Sequence, residues 1–337
     1  MSGAVFSLGS ILVDLTVDVP TLPERGGDVL ATATRTLPGG GFNLAVAVAR
    51  QGVRCVYAAG HGTGRHGDLV RAALAAASVE TLLPPRPGAD TGFCVVMLEP
   101  GGERTFVTMP GAEAVLTAAD LAAVRPGPDD IVAVSGYDLV YPGSGPALAA
   151  WLPDAGVRLA LDPGPLIMDI PRLPPVAVLT MNQREARLLS GRPAAHGTNL
   201  LAAVTTALDR ITAGGSATAP GRPAAGGRPP WPGRATTGER PAWPGLVVVR
   251  EGADGCVATG GPLGDRVVTV PAPTVRAVDT TGAGDTHTGV LLAALTAGRT
   301  VDDALRLANR AAAIAVTRVG PATAPTAAQL HGDATAE

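Results

Sequence analysis

The chain contains no lysine; its 26 basic residues are all arginine. That absence excludes a Walker-type phosphate loop, which places a lysine on the phosphates, and any enzyme that forms a Schiff base through lysine, pyridoxal enzymes included. Aromatic side chains make up 3% of the 337 residues, and the formal net charge is −3. The chain therefore lacks the stacking platforms and the basic surface of a nucleic-acid binder, and it has no charge excess to attract an anionic membrane. The three cysteines, Cys55, Cys94 and Cys256, are scattered. They form neither a disulfide framework nor a zinc pattern and read as small core residues. The five histidines, His61, His66, His196, His287 and His331, show no H-E-x-x-H or related ligand spacing and read as surface or core residues. No apolar run reaches the length of a membrane span, and residues 1–12 carry no basic leader. A cytoplasmic protein without nucleic-acid or membrane partners is the expectation.

What is present points to an α/β fold. Hydrophobic residues make up 46% of the chain, enough for a sizeable core. Residues 4–13 form a nearly continuous apolar run and read as a buried parallel strand. Further strands are expected at 53–59, 131–134, 157–161, 176–181 and 246–249, with helices at 44–50, 118–124, 146–151, 183–189, 200–211 and 301–317. Such alternation predicts a mostly parallel, doubly wound sheet. Two stretches break it. Residues 15–37 and 91–110 are β-prone, and the second alternates around Pro100-Gly101-Gly102-Glu103 as a hairpin; together they predict one small separate sheet. Residues 213–245 are dominated by Gly, Pro, Ala and Arg and read as a flexible surface insertion, and residues 331–337 as a frayed tail.

The chemistry-bearing stretch is Asp279-Thr280-Thr281-Gly282-Ala283-Gly284-Asp285. A helix is expected from Gly284 onward, which puts Gly282, Ala283 and Gly284 at a helix N-terminus. There free N–H groups and the helix dipole favour an anion, and no bulky side chain blocks its approach. Asp285 then lies beside the anion, where a carboxylate can take a proton from an attacking hydroxyl. The alternative is a loop with an N-capping Asp. Asp14 follows the first apolar run, where an open α/β sheet binds ligands, or it is a turn residue. Gly39 and Gly40 precede a helix carrying Asn43 and allow close approach of a ligand, or they form a plain Gly-rich turn. Tyr137 and Asp162 follow strands and are candidates for a site wall. Asn182 and Glu185 can share a helix face toward hydrated Mg²⁺, or they form a capping box. Gly62-Thr63-Gly64-Arg65-His66-Gly67 matches G-x-G-x-x-G, but it follows the second strand and lacks the distal acidic residue. A structural turn, not a dinucleotide site, is expected.

Two Gly-rich loops, an Asn-x-x-Glu and Asp-Thr-Thr-Gly-Ala-Gly-Asp, in this order, resemble the ribokinase-like (PfkB) carbohydrate kinases. The resemblance covers nearly the whole chain except 213–245. It implies an αβα sandwich with a core of residues 1–14, 38–90 and 111–330, and a β lid of 15–37 and 91–110 through which members often dimerise. It implies Asp285 as catalytic base, Gly282 to Gly284 as anion hole, and Asp14, Gly39, Gly40 and Asn43 around the sugar. It places Asn182, Arg250, Gly252, Gly255 and Asn309 near the nucleotide, with Glu185 organising Mg²⁺ and Asp279 and Thr281 forming a K⁺ loop in potassium-activated members. The implied activity is transfer of the ATP γ-phosphate to a primary hydroxyl of a pentose, ketose or sugar acid. A nucleoside kinase of the same fold and a non-catalytic sugar-binding regulator are the alternatives. Three departures stand out: Pro38 replaces a glycine, His287 sits at a usually apolar position, and Ser135-Gly136-Tyr137-Asp138 stands where ribokinases have a Glu on ribose.

Overall fold

The computed structural model describes residues 3–166, 170, 176–212 and 245–332. The Gly/Pro-rich stretch 213–244 and residues 333–337 lie outside them. Among the described residues the strands are β1 (Val5–Ser7), β2 (Val13–Asp18), β3 (Ala33–Pro38), β4 (Cys55–Tyr57), β5 (Glu80–Thr81), β6 (Phe93–Leu98), β7 (Arg104–Met109), β8 (Ile131–Ser135), β9 (Arg158–Asp162), β10 (Val178–Asn182), β11 (Leu246–Arg250), β12 (Cys256–Thr259) and β13 (Val268–Val270). The helices are α1 (Gly41–Ala49), α2 (Arg65–Ala76), α3 (Ala118–Ala123), α4 (Gly136–Val140), α5 (Gly145–Trp151), α6 (Gln183–Ser190), α7 (Gly197–Thr212), α8 (Ala283–Thr296), α9 (Val301–Ala315) and α10 (Ala327–Gly332).

Nine strands form one sheet in the order β13-β12-β11-β10-β9-β8-β1-β4-β5. It is parallel from β11 to β5, and β12 and β13 extend it antiparallel. Its parallel strands are apolar on both faces, as a sheet covered by helices on each side demands. Two core clusters result. Phe6, Val132 and Leu179 belong to one, while Val5, Ile131 and Val178 belong to the other.

The second sheet runs β3-β2-β6-β7, with β2 parallel to β6 and antiparallel pairs outside. It is the small lid. The expected strand over 4–13 is split: β1 stops at Ser7, and β2 starts at Val13 inside the lid. The intervening residues 8–12 are apolar because Leu8 and Ile11 are buried in the two cores, not because they pair in a sheet. Asp14 therefore stands on the first lid strand. The crossover is pinned by Asp138, which is buried and accepts from Ser10 N (3.1 Å), Ser10 Oγ (2.5 Å), Ser135 N (3.0 Å) and Ser135 Oγ (2.7 Å).

Helix α8 is buried nearly all round between α1 and α9, so it shows no polar stripe. Gly289 makes the approach to α1 close: a Cβ there would lie 2.7 Å from Ala47 Cβ and 2.8 Å from the Leu44 carbonyl. Gly289→Ala is expected to cost about 1–3 kcal/mol of unfolding free energy, the usual cost of overpacking. Urea denaturation checks this, and wild-type stability would mean that the two helices part freely.

Candidate active site

The last residues of five adjacent parallel strands, Ser7, Ser135, Asp162, Asn182 and Arg250, open onto one cavity of about 490 Å³. The carboxyl edge of an open parallel sheet is where side chains end free of the ladder and ligands can reach them. The lid covers the cavity with one face, presenting Asp14, Thr16, Arg35, Leu37, Cys94, Val96, Leu98, Arg104, Phe106 and Thr108.

The Gly282–Gly284 segment forms the start of α8. Gly282 is the N-cap in the left-handed region (φ 69°), with no capping side chain, and Asp285 lies in the first turn. Asn43 Nδ2 donates to Asp285 Oδ2 at 3.0 Å, while Asn43 Oδ1 accepts from Ala322 N at 2.8 Å. The second bond orients the amide so that its NH₂ faces the carboxylate. Burial first, then the nearby Asp162 charge, pushes the Asp285 carboxyl up to about 6, against the Asn43 bond and the Arg250 charge. Asp14 is likewise pushed up to about 6, by burial and then by the Asp285 charge. Gly39 gives Asp14 its room, since a Cβ there would run into that carboxylate.

Behind the anion segment lies Arg250. Its Nη2 pairs with Asp162 Oδ2 at 2.9 Å, and its Nη1 donates to Gly284 O (2.8 Å) and Thr288 Oγ1 (2.9 Å). The pairing with Asp162 was not visible from the sequence, where each residue simply ends a strand. Asn182 and Glu185 form a capping box on α6: Glu185 Oε2 accepts from Asn182 N and Oε1 from Asn182 Nδ2, at 2.8 and 2.6 Å. Both residues line the cavity, and burial followed by Asp162 raises Glu185 to about 7. Asp279 Oδ1 accepts from Thr281 N and Oγ1, and Oδ2 accepts from Gly320 N, which fixes the loop ahead of Gly282.

Of the residues expected at the site, Asp14, Gly40, Asn43, Tyr137, Asn182, Glu185, Arg250, Asp279, Thr281, Gly282, Ala283, Gly284 and Asp285 line the cavity. Gly39, Gly252, Gly255 and Asn309 do not. Gly252 and Gly255 shape the turn between β11 and β12 at positive φ. Asn309, expected beside the nucleotide, is buried and committed elsewhere: Nδ2 donates to Val270 O and Pro271 O, leaving Oδ1 to accept from His287 Nε2 at 3.1 Å. That pair also explains a histidine at an apolar position; burial and Arg250 drive its pKa down to about 3, so it stays neutral. The Gly62–Gly67 turn is structural. Asp90 caps it, accepting from the His66 and Gly67 amides, so the start of α2 is already occupied. Two contributors that the sequence did not reveal are Arg104, at the lid tip, and the Ala322 amide that orients Asn43.

Comparison with known proteins agrees with this geometry. The family description "pfkB family carbohydrate kinase" matches residues 3–214 and 238–328. The chain belongs to the pfkB carbohydrate kinase family. It is 31% identical over 329 residues to the uncharacterized sugar kinase YegV of Escherichia coli, covering 97% of this chain and 92% of that one. It is 27% identical over 320 residues to a ribokinase of Haemophilus influenzae, covering 93% and 92%. In structure it resembles Arabidopsis thaliana ribokinase complexed with ribose and ATP, with a TM-score of 0.75, 23% identity and both chains fully covered. The chain is thus a carbohydrate kinase with the ribokinase fold.

The raised carboxyls cost this kinase stability. A carboxyl whose folded pKa exceeds its unfolded value favours the folded state most below about pH 4, and that contribution is lost as pH rises through about 6. Asp14→Asn is therefore expected to raise the melting temperature at pH 8, with the gain vanishing near pH 4. A gain that is equal at both pH values would show that the charge on Asp14 carries no penalty.

Proposed function

We propose that this kinase transfers the γ-phosphate of ATP to a primary hydroxyl of a small carbohydrate, a ribose-like pentose, ketose or sugar acid, with Asp285 as general base. One observation carries the reading: a half-buried carboxylate of raised pKa lies in the first turn of a helix whose uncapped N-terminal segment faces the same cavity. A base near pKa 6 is ionised at neutral pH yet binds a proton well enough to accept one from the attacking hydroxyl. The amides of the 282–284 segment and the helix dipole stabilise charge on the transferring group. Arg250 supports them by holding the Gly284 carbonyl. Asp14 and Asn43 grip other hydroxyls and fix the attacking one, and the lid excludes water.

Mg²⁺ supplies charge neutralisation on the phosphates when bound. Glu185 and Asn182 fit it through water, because both Glu185 oxygens already accept from Asn182. Among the described residues no group of three or more His, Cys, Asp or Glu side chains converges to cage a metal. Asp279 and Thr281 are the residues a K⁺ would use. Asp279 stays ionised, held below the usual carboxylate range by its hydrogen bonds and Arg104 against the effect of burial. Val107 and Met109, each 59% exposed on the lid, give a homodimer an apolar face. Among the described residues no helix is long and apolar enough to cross a membrane, and a cytoplasmic location is part of the proposal.

A nucleoside kinase is the second reading. Tyr137 and Tyr141 pack at 6.2 Å between ring centroids in the cavity wall, where Val96, Leu98 and Phe106 of the lid also lie. Such a wall suits a base.

ADP release with ATP·Mg²⁺ against pentoses, ketohexoses, sugar acids and nucleosides, with and without K⁺, tests these readings. Asp285→Asn is expected to lower turnover by about 10²–10⁴-fold, the usual worth of a positioned base; near-wild-type turnover would remove Asp285 from the role. Turnover should also fall as pH drops through about 6, where Asp285 takes up its proton. Asn43→Ala removes a bond that favours the carboxylate, so this acid limb should move to higher pH. A limb that stays in place would assign it to another group.

A further inference from the structure

Two buried side-chain nitrogens behind the start of α8 have no hydrogen-bond partner among the described residues, and each can supply what the other needs. One is Arg250 Nε. The other nitrogens of that guanidinium are engaged: Nη2 with Asp162 Oδ2 at 2.9 Å, and Nη1 with Gly284 O and Thr288 Oγ1 at 2.8 and 2.9 Å. The second is His287 Nδ1. Asn309 settles which ring nitrogen of His287 carries the proton. Its Nδ2 donates to Val270 O and Pro271 O, so Oδ1 faces the ring and can only accept. His287 Nε2 is therefore the N–H, and Nδ1 of the neutral ring is a bare acceptor. Arginine Nε is a donor only. Buried polar atoms are costly to leave unpaired, and here one donor and one acceptor are left over together.

Their placement supports a link. Residues 284, 287 and 288 share one face of α8, at i, i+3 and i+4. Arg250 already bonds to the first and the last of them. The guanidinium lies so near the helix that a Cβ on Gly284 would stand 3.0 Å from Nη1. Its charge is near enough to help depress the His287 imidazole. Cys256 pairs with Arg250 across β11 and β12, and its thiol stands beside Asn309. Sheet edge, α8 and α9 thus bring these polar side chains to one buried place.

We propose that His287 is a positioning residue for the anion segment: its Nδ1 accepts the Nε proton of Arg250 through one buried water, completing a relay from Asn309 to the Gly284 carbonyl. The proposal rests on the kinase reading above. His287 itself is buried and does not line the cavity. It acts by holding the third nitrogen of a guanidinium whose other two are already held, which fixes the plane of the group. The Gly284 carbonyl belongs to the peptide that carries the Asp285 N–H, so a fixed guanidinium fixes the peptide between the anion segment and the base. An apolar ring at 287 could fill the same space but could not accept the proton.

Two substitutions separate the two ring nitrogens. An asparagine amide reaches roughly where Nδ1 stands, and a glutamine amide roughly where Nε2 stands. His287→Asn therefore keeps an acceptor toward Arg250, whereas His287→Gln keeps only the partner of Asn309. With ATP·Mg²⁺ and whichever acceptor of the panel turns over, His287→Gln is expected to lower kcat by about ten- to a hundredfold with the KM for the acceptor unchanged, and His287→Asn to lose much less. The reverse order would tie His287 to Asn309 alone. Equal losses would make it a packing residue, and no loss in either would detach it from Arg250. Each of these results overturns the proposal and leaves the kinase reading standing. A second readout needs no acceptor: NMR of protein labelled with ¹⁵N at histidine and arginine. His287 is expected as the Nε2–H tautomer with Nδ1 accepting a hydrogen bond, and the Arg250 Nε–H signal should shift in His287→Gln and stay in place in His287→Asn. An Nδ1–H tautomer, or an Arg250 signal indifferent to both substitutions, overturns the proposal. The expected spectra from protein silent with every acceptor would count against the kinase reading and not against the relay.

Discussion

The site depends on the contact between α1 and α8. Asn43 sits near the start of one helix and Asp285 near the start of the other, 242 residues apart in sequence, and they meet at 3.0 Å. Helices carrying ordinary side chains pack about 8–10 Å apart. Here Gly289 and Ala47 remove the bulk between the axes, which brings the two N-termini together. The Ala322 amide then decides which end of the Asn43 side chain faces the carboxylate. The Asp285 carboxylate is thus oriented by a small-residue contact and a backbone donor.

Around that contact the molecule gathers more negative charge than it neutralises. Asp14, Asp162, Glu185 and Asp285 line one cavity with Arg250. Arg250 bonds directly to Asp162, while burial first, and a neighbouring carboxylate second, pushes Asp14, Glu185 and Asp285 upward. Clustered carboxylates cost stability at neutral pH, and perturbed groups of this kind concentrate at functional sites. An arriving phosphate would add still more negative charge. On the proposed reading the uncapped amides at the start of α8 would meet it, leaving the carboxylates for hydroxyls and a proton.

The sequence showed what depends on local chemistry. Glycines ahead of a helix, an acidic residue in its first turn, and βα alternation follow from backbone geometry within a few residues, so the 279–285 segment, the Gly39–Asn43 loop and the mostly parallel sheet could all be read. Partnerships set by tertiary approach could not. Arg250 and Asp162 each end a strand, and only β9 and β11 flanking β10 brings them together. Arg104 reaches Thr280 across 176 residues. The bonds of Asn309 were hidden for the same reason: an amide on a helix face gives no local sign that it will be committed to His287 and two carbonyls. The apolar run at 4–13 misled because hydrophobicity reports burial, and residues 8–12 are buried while crossing between sheets.

That crossing ties the lid to the chemistry. Strand β1 ends in the large sheet at Ser7, and the chain enters the lid at Val13, with Ser10 held between them by Asp138. Asp14 is therefore carried on the lid but placed four residues beyond the pinned Ser10. On the far side of the same sheet, Glu113 accepts from the Gly92 and Gly111 amides, at 2.7 and 2.8 Å, at the root of the hairpin that bears Arg104. Two roots of the lid are fixed by the buried carboxylates of Asp138 and Glu113, and at its tip Arg104 bonds to Thr280 and lies 3.8 Å from Asp279. The pinned roots thereby hold Asp14 near enough to Asp285 for that charge to raise the Asp14 carboxyl.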